Sequence, residues 1–273
     1  MSAIDSTALS FIENAPPGEL KEVIDDIQSL LELDRGSVQQ KVAPAVEKYN
    51  KAQYVTTKLP GGSGLVIVSS YNDLGGGRFF DTESSSSFAY DHTTQRASDV
   101  QSHPIEGDNA STVKSLVRDV GDHVKEHFPS LPAHGVYPTD DGIAILIVGN
   151  KYSPSNYWNG RWRSTYVYNP STSSLTGTIA VDVHYYEDGN VRLVTEKKVN
   201  ESLRSGTSSE IVKAIANVER KYQEELNRAF GALSEGAFKS LRRSLPVTRQ
   251  KMDWQKAGAY KIGQDIGGGG RAR

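Results

Sequence analysis

The sequence predicts an α+β protein. A short-helix bundle comes first, then a central antiparallel sheet meander, then a long amphipathic helix across that sheet. Three observations predict it. Apolar residues recur at helical spacing before residue 50 and again after residue 207. Between them, apolar runs of strand length follow one another in quick order. Asp188-Gly189, a strong hairpin signal, separates two of those runs. Consecutive strands joined by short turns make an antiparallel meander.

The elements follow in order. Ala15-Pro16-Pro17-Gly18 is a break. Beyond it Leu20, Val23, Ile24, Ile27, Leu30 and Leu31 fall on one helical stripe, which Asp34-Arg35-Gly36 ends. Ala43, Val46 and Tyr49 make a weaker stripe running toward Asn50. Helices this short must pack on one another or on something else. Residues 65–68 read as a strand, and residues 75–77 and 84–87 as turn or loop around a short strand at 78–80. Ser111 is the expected N-cap of a helix to Phe128, with Val113, Leu116, Val117, Val120, Val124 and Phe128 inward. Strands are expected at 143–148, 162–168, 178–186 and 191–195. Ile179, Val181, Val183 and Tyr185 alternate on one face, and Asp182, His184 and Tyr186 on the other. From 208 to 233, Ile211, Ile215, Val218, Tyr222, Leu226, Ala229 and Leu233 form the inward stripe of the long helix. The other sheet face and the edges then need the N-terminal helices or a partner chain. The expected organisation is a helical bundle at 1–58, a β region at 59–200 with a helix inserted at 111–128, the long helix at 201–237 and a tail at 238–273.

Composition narrows the function. At 273 residues, with 37% hydrophobic and 23% charged, the chain fits an ordinary soluble protein with ample core. No cysteine is present, which excludes disulfides and thiolate metal sites and fits a reducing compartment. Met1-Ser2-Ala3-Ile4-Asp5 carries neither the basic nor the apolar region of a secretory signal, so the two Asn-x-Ser sequons read as chance. No run approaches the roughly 18 apolar residues of a membrane span. No Gly-Lys-Ser/Thr occurs and no glycine spacing fits a dinucleotide loop. His123-Val124-Lys125-Glu126-His127 spells a zinc-protease pattern, but no third ligand is indicated and an ordinary core stripe runs beside it. Asp182 with His184, and Asp91 with His92, read as polar groups satisfying hydrogen bonds, since no nucleophile elbow is present. No catalytic residue, metal or cofactor is expected.

Charge points elsewhere. From Lys239 to Arg273 there are nine Lys/Arg against two Asp/Glu, a net +7, which leaves −9 for residues 1–238. That asymmetry predicts a mobile basic arm seeking an acidic partner. The acidic body argues against nucleic acid; an anionic membrane surface remains open to the arm. Pro246 halts any helix through 241–245, and a second short one can restart at Lys251. Trp254 and Tyr260 supply amphipathic rings of the kind enriched at interfaces.

Three long motifs, with Pro16-Pro17-Gly18-Glu19-Leu20 before them, carry a resemblance. They are Asn156-Tyr157-Trp158-Asn159-Gly160-Arg161-Trp162-Arg163-Ser164, Val183-His184-Tyr185-Tyr186-Glu187-Asp188-Gly189-Asn190-Val191, and Leu241-Arg242-Arg243-Ser244-Leu245-Pro246-Val247-Thr248-Arg249-Gln250-Lys251-Met252-Asp253-Trp254. In this order, over nearly the whole chain, they resemble the alpha subunits of the F-actin-capping protein family. The resemblance implies a non-catalytic, calcium-independent subunit of the cytoplasm and cortical actin cytoskeleton. It implies pairing with a beta subunit, whose sheet continues this one, and binding of the heterodimer to the barbed (fast-growing) filament end, where it blocks addition and loss of subunits. The family's basic actin contacts fall on Lys239, Arg243 and Arg249, and its tail tryptophan on Trp254. Charge and proximity add Arg242, Lys251, Lys256, Tyr260 and Lys261. The resemblance further implies phosphoinositides as inhibitory ligands of the same patch and regulatory proteins that bind the dimer. It also admits an adaptor role, as in the dynactin complex. At Ala257 and Gly258 the chain departs from animal members, which carry bulky aliphatics there. Glycine inside a helix costs roughly 1 kcal/mol relative to alanine, so this tail is expected to have a smaller apolar face and weaker helicity.

Overall fold

The computed structural model describes residues 3–32, 34–62, 64–107, 109–128, 130, 132–140, 142–187 and 190–232. Residues to Glu219 form one compact unit, and residues from Arg220 belong to a second.

The first unit begins with three helices, α1 (Ala3–Glu13), α2 (Leu20–Leu31) and α3 (Arg35–Ala52). Ile12, Leu20, Ile27, Val38, Val42, Val46 and Tyr49 are buried in one cluster between them. Two expectations change here. Leu30 points to solvent at 78% exposure. It lies about 80° round the helix from Leu20, at the rim of the apolar arc. Ala43 is only half-buried; α3 turns Val38, Val42, Ala45, Val46 and Tyr49 inward instead. The Asp34-Arg35-Gly36 stretch does more than stop α2. Asp34 caps α3, its Oδ1 accepting from the Ser37 N–H at 3.0 Å.

Two small sheets follow. β1 (Thr56–Lys58) pairs with β2 (Leu65–Ile67), a partner the sequence did not reveal. A second sheet runs β3 (Asp73–Gly75), β4 (Arg78–Asp81), β5 (Ser86–Asp91) and β6 (Arg96–Ser102) in that order, around Phe79, Phe88 and Tyr90. Gly75, Gly76 and Gly77 have φ of +80°, +60° and +77°, a run that suits glycine and makes the expected turn. The serine run was expected to be loop throughout, yet Ser86 and Ser87 start β5. Their hydroxyls have partners: Ser86 Oγ meets Ser84 Oγ at 2.6 Å, and Arg78 Nη2 donates to Ser87 Oγ at 3.2 Å. Serine enters a buried strand when its hydroxyl is bonded.

Helix α4 (Ala110–His127) buries Val113, Leu116, Val120 and Val124 as expected, with Val117 and Phe128 half-buried. Ser111 is not its N-cap. Asn109 is, without a side-chain bond, and Ser111 sits exposed in the first turn.

The main sheet is a five-stranded antiparallel meander of β7 (Ala133–Thr139), β8 (Gly142–Ser153), β9 (Trp158–Asn169), β10 (Ser174–Tyr185) and β11 (Val191–Ser202), neighbours in sequence being neighbours in space. Strand β7 escaped the sequence reading because its apolar run is broken by Gly135 and Pro138. As an edge strand it tolerates proline. The other strands run longer than their apolar stretches; β9 gains buried Asn159 and Arg161 that way, while the added ends of β8 and β11 are mostly exposed or half-buried. Helix α5 (Ser208–Ala232) closes the described chain, with Ile211, Ile215 and Val218 buried.

Candidate functional site

The expected actin contacts, Lys239, Arg242, Arg243, Arg249, Lys251, Trp254, Lys256, Tyr260 and Lys261, all lie outside the described residues, beyond Ala232. What is described is the scaffold that precedes them.

One sheet face carries α4 and the first half of α5. Alternation along β9 places Trp162, Ser164 and Tyr166 on it. Ser164 and Tyr166 meet a buried carboxylate, Glu219, 7% exposed. Glu219 Oε1 accepts from Ser164 Oγ at 3.0 Å and from Tyr166 OH at 2.8 Å, and Oε2 lies 2.9 Å from His123 Nε2. Trp162 Nε1 donates to Ser164 Oγ at 2.7 Å. Burial, and then the Glu219 carboxylate beside it, pushes the Tyr166 phenol well above its usual range. His123 therefore belongs to a fixed protein network. His127 reaches the His123 carbonyl at 2.9 Å, and among the described residues no group of three or more His, Asp and Glu is placed to hold a metal.

The opposite face meets the N-terminal helices through the odd residues of the Asn156–Ser164 motif. Arg161 is 5% exposed. Its Nε donates to Asn150 Oδ1 at 2.7 Å and its Nη2 to Tyr152 OH at 2.8 Å. Its Nη1 reaches Gln53 O and Oε1, both at 3.3 Å. Arg163 donates to the Ala52 carbonyl at the end of α3. Asp182, opposite Arg161 in the β9–β10 register, accepts a bidentate pair from Arg192 at 2.9 and 2.6 Å. His184 Nδ1 lies 2.8 Å from Glu19 Oε1, and Asn159 Nδ2 donates to that same oxygen at 3.0 Å. Asp182 and His184 were expected to be polar groups with partners, and they are. Asp91 likewise accepts from the Thr93 and Thr94 N–H groups, but the His92 ring is satisfied only in part: its Nδ1 lies 3.3 Å from Asn50 Nδ2, and its buried Nε2 has no partner among the described residues. The sequence reading missed Glu19, Arg192 and Glu219. Arg192 alone left a signal, since hairpin register puts it across from His184, next to Asp182.

Strand β11 ends the sheet order, and its outer side has no strand beside it among the described residues. Val191 and Val194 stand 65% and 66% exposed on it. In the second unit, α5 from 223 to 232 is exposed apart from half-buried Leu226, and Phe230 is 55% exposed. Ala229 was expected inward and is exposed, while Leu233 lies outside the described residues.

Comparison with known proteins gives this scaffold relatives. A sequence model of the family described as F-actin capping protein alpha subunit matches residues 8–265. An F-actin-capping protein subunit alpha from Gibberella zeae is 58% identical over 275 residues, covering 100% of both chains. One from Caenorhabditis elegans is 39% identical, covering 95% of each. The homodimeric actin capping protein alpha subunit of Plasmodium berghei shares the fold, with a TM-score of 0.72 over 89% of this chain and 96% of that one, at 19% identity.

Proposed function

Since the chain belongs to the F-actin capping protein alpha subunit family, a family of structural actin-binding proteins and not of enzymes, we propose that it caps the barbed ends of actin filaments. It does so as one half of a heterodimer with a beta subunit, independently of calcium, and blocks both addition and loss of subunits. Residues 238–273 are the actin-binding arm, with Lys239, Arg243, Arg249 and Trp254 as main contacts and Arg242, Lys251, Lys256, Tyr260 and Lys261 beside them.

The observation that carries this reading is the concentration of nine Lys/Arg against two Asp/Glu in that arm, on a body of −9. Actin's surface is acidic. Basic side chains speed encounter with it, and an aromatic anchor slows release. The family match runs into this arm as far as residue 265. The outer side of β11, unpaired among the described residues and with Val191 and Val194 exposed, supports a partner subunit that continues the sheet. Phosphoinositides compete for the same basic patch, regulatory proteins bind the dimer, and the place of action is the cortical cytoskeleton of the cytoplasm.

The test is elongation from filament seeds with the co-expressed dimer, wild type beside Lys239→Ala/Arg243→Ala/Arg249→Ala. Wild type should stop barbed-end growth. The triple variant, still folded and dimeric, should lose affinity by roughly tenfold or more, since three charge contacts at about 0.5–1 kcal/mol each reach that factor. Equal capping by both proteins would move the contact surface off the arm. No capping by either would leave a fixed adaptor subunit as the better reading.

A further inference from the structure

A cavity of about 450 Å³ opens between α2, α3, the turn at Thr93–Gln95 and the ends of β8 and β9. That volume lies in the range of small-molecule sites. Ile24, Val42 and Val46 wall it, and Arg161 forms part of its floor. At the mouth, Lys21 and Asp25 pair with each other at 3.7 Å and bring no net charge.

The floor does bring charge. Every described hydrogen bond of Arg161 goes to a neutral oxygen, and among the described residues no carboxylate forms an ion pair with it. Asp182 is its register partner, but both Asp182 oxygens serve Arg192. Arg163, two residues along on the same face, adds a second guanidinium, and its Nε is buried without a partner. Burial, and then the neighbouring Arg161 charge, lowers the Arg163 guanidinium from its usual range. Among the described residues, the two carboxylates near these three guanidiniums are both occupied, Asp182 by Arg192 and Glu19 by His184. A buried cation without a counter-ion is costly, and an anion that reaches it gains a charge-assisted bond. Asn150 and Tyr152, which hold Arg161 Nε and Nη2, line the cavity with it, so an anion in the cavity meets the guanidinium on that edge.

We propose that this cavity binds a small amphipathic carboxylate, its acid group on Arg161 and its apolar body against Ile24, Val42 and Val46. The site is separate from the basic arm, so it stands or falls apart from capping.

The test measures binding of 4-phenylbutyrate and its neutral amide, 4-phenylbutyramide, by calorimetry on the full-length chain in the complex in which it purifies. The carboxylate should bind at least roughly tenfold tighter than the amide, the factor expected of one bond to a charged group. Arg161→Lys should keep that preference in part and Arg161→Gln should lose it. Ile24→Trp, which fills the cavity and leaves Arg161 in place, should abolish binding of both probes at an unchanged Tm. Should Arg161→Gln fail to fold, the two probes on wild type and Ile24→Trp still decide. Equal affinity for acid and amide, binding that survives Ile24→Trp, or no saturable binding at low millimolar probe would each overturn the proposal.

Discussion

Glu219 shows how much one side chain can hold. It accepts from Ser164 and Tyr166 on the sheet and pairs with His123 on α4, all from the first half of α5. Removing one member of a buried charged network strands the rest, which typically costs about 3–5 kcal/mol. Glu219→Ala should lower unfolding stability by about that much in urea titrations, and Glu219→Gln by less, since the amide oxygen still accepts. Glu210 tests the same physics in solvent. Its carboxylate accepts from the Ser205 hydroxyl at 2.5 Å and from the Arg204 and Ser205 N–H groups at 2.8 and 2.7 Å. Those bonds, the Ser205 hydroxyl first, hold its pKa down at about 2, from 4.5. A depressed carboxylate stabilises the fold above its unfolded pKa and loses that contribution as pH falls through the folded one. Urea midpoints taken from pH 5 to pH 2 should therefore fall more steeply for wild type than for Glu210→Gln, and parallel curves would refute the assignment.

At the scale of elements, the join between the sheet and α5 depends on Gly206. Its φ is +62°, and a Cβ there would lie 1.8 Å from Tyr168 Oη. Gly206→Ala combines a left-handed backbone with a collision, so a loss of about 1–3 kcal/mol should appear in thermal melts. The Asn156–Ser164 motif also works at this scale. Trp162 and Ser164 serve the α4–α5 face while Asn159, Arg161 and Arg163 reach the N-terminal helices and their caps, so one strand, β9, joins both layers. That double duty explains why β9 extends through Asn159 and Arg161, residues that an apolar-run reading left outside the strand. Both are buried at 5% exposure because Glu19, Gln53, Asn150 and Tyr152 receive them. Local spacing cannot announce such partners, since Glu19 and Asn159 stand 140 residues apart.

At the scale of the whole molecule, the outer side of β11 is an edge of the main sheet with no strand beside it among the described residues. If a beta subunit docks there, as proposed, Val191→Asp with Val194→Asp should abolish co-purification of the partner, as two charges would be buried without counter-ions. The isolated double variant should melt no earlier than the isolated wild-type chain, because both side chains are exposed within the chain. Retained association at wild-type strength, measured by size-exclusion chromatography of the co-expressed pair, would place the interface elsewhere.

The sequence by itself determined the α+β class, the meander from β8 to β11, the inward faces of α2, α4 and the first half of α5, and the charge asymmetry. Each rests on periodicity or on a sum over residues, and both are local. Tertiary structure decided the rest. Leu30 is exposed although it lies on an apolar stripe, because only part of that arc meets a neighbour. Ser86 and Ser87 join a strand because buried partners take their hydroxyls. Strand β7 forms despite Gly135 and Pro138, because it sits at an edge. Arg161 lies at the floor of a cavity because helices far away in the chain fold over it. In each case a side chain's environment is set by groups distant in sequence, and that information exists only once the chain has folded.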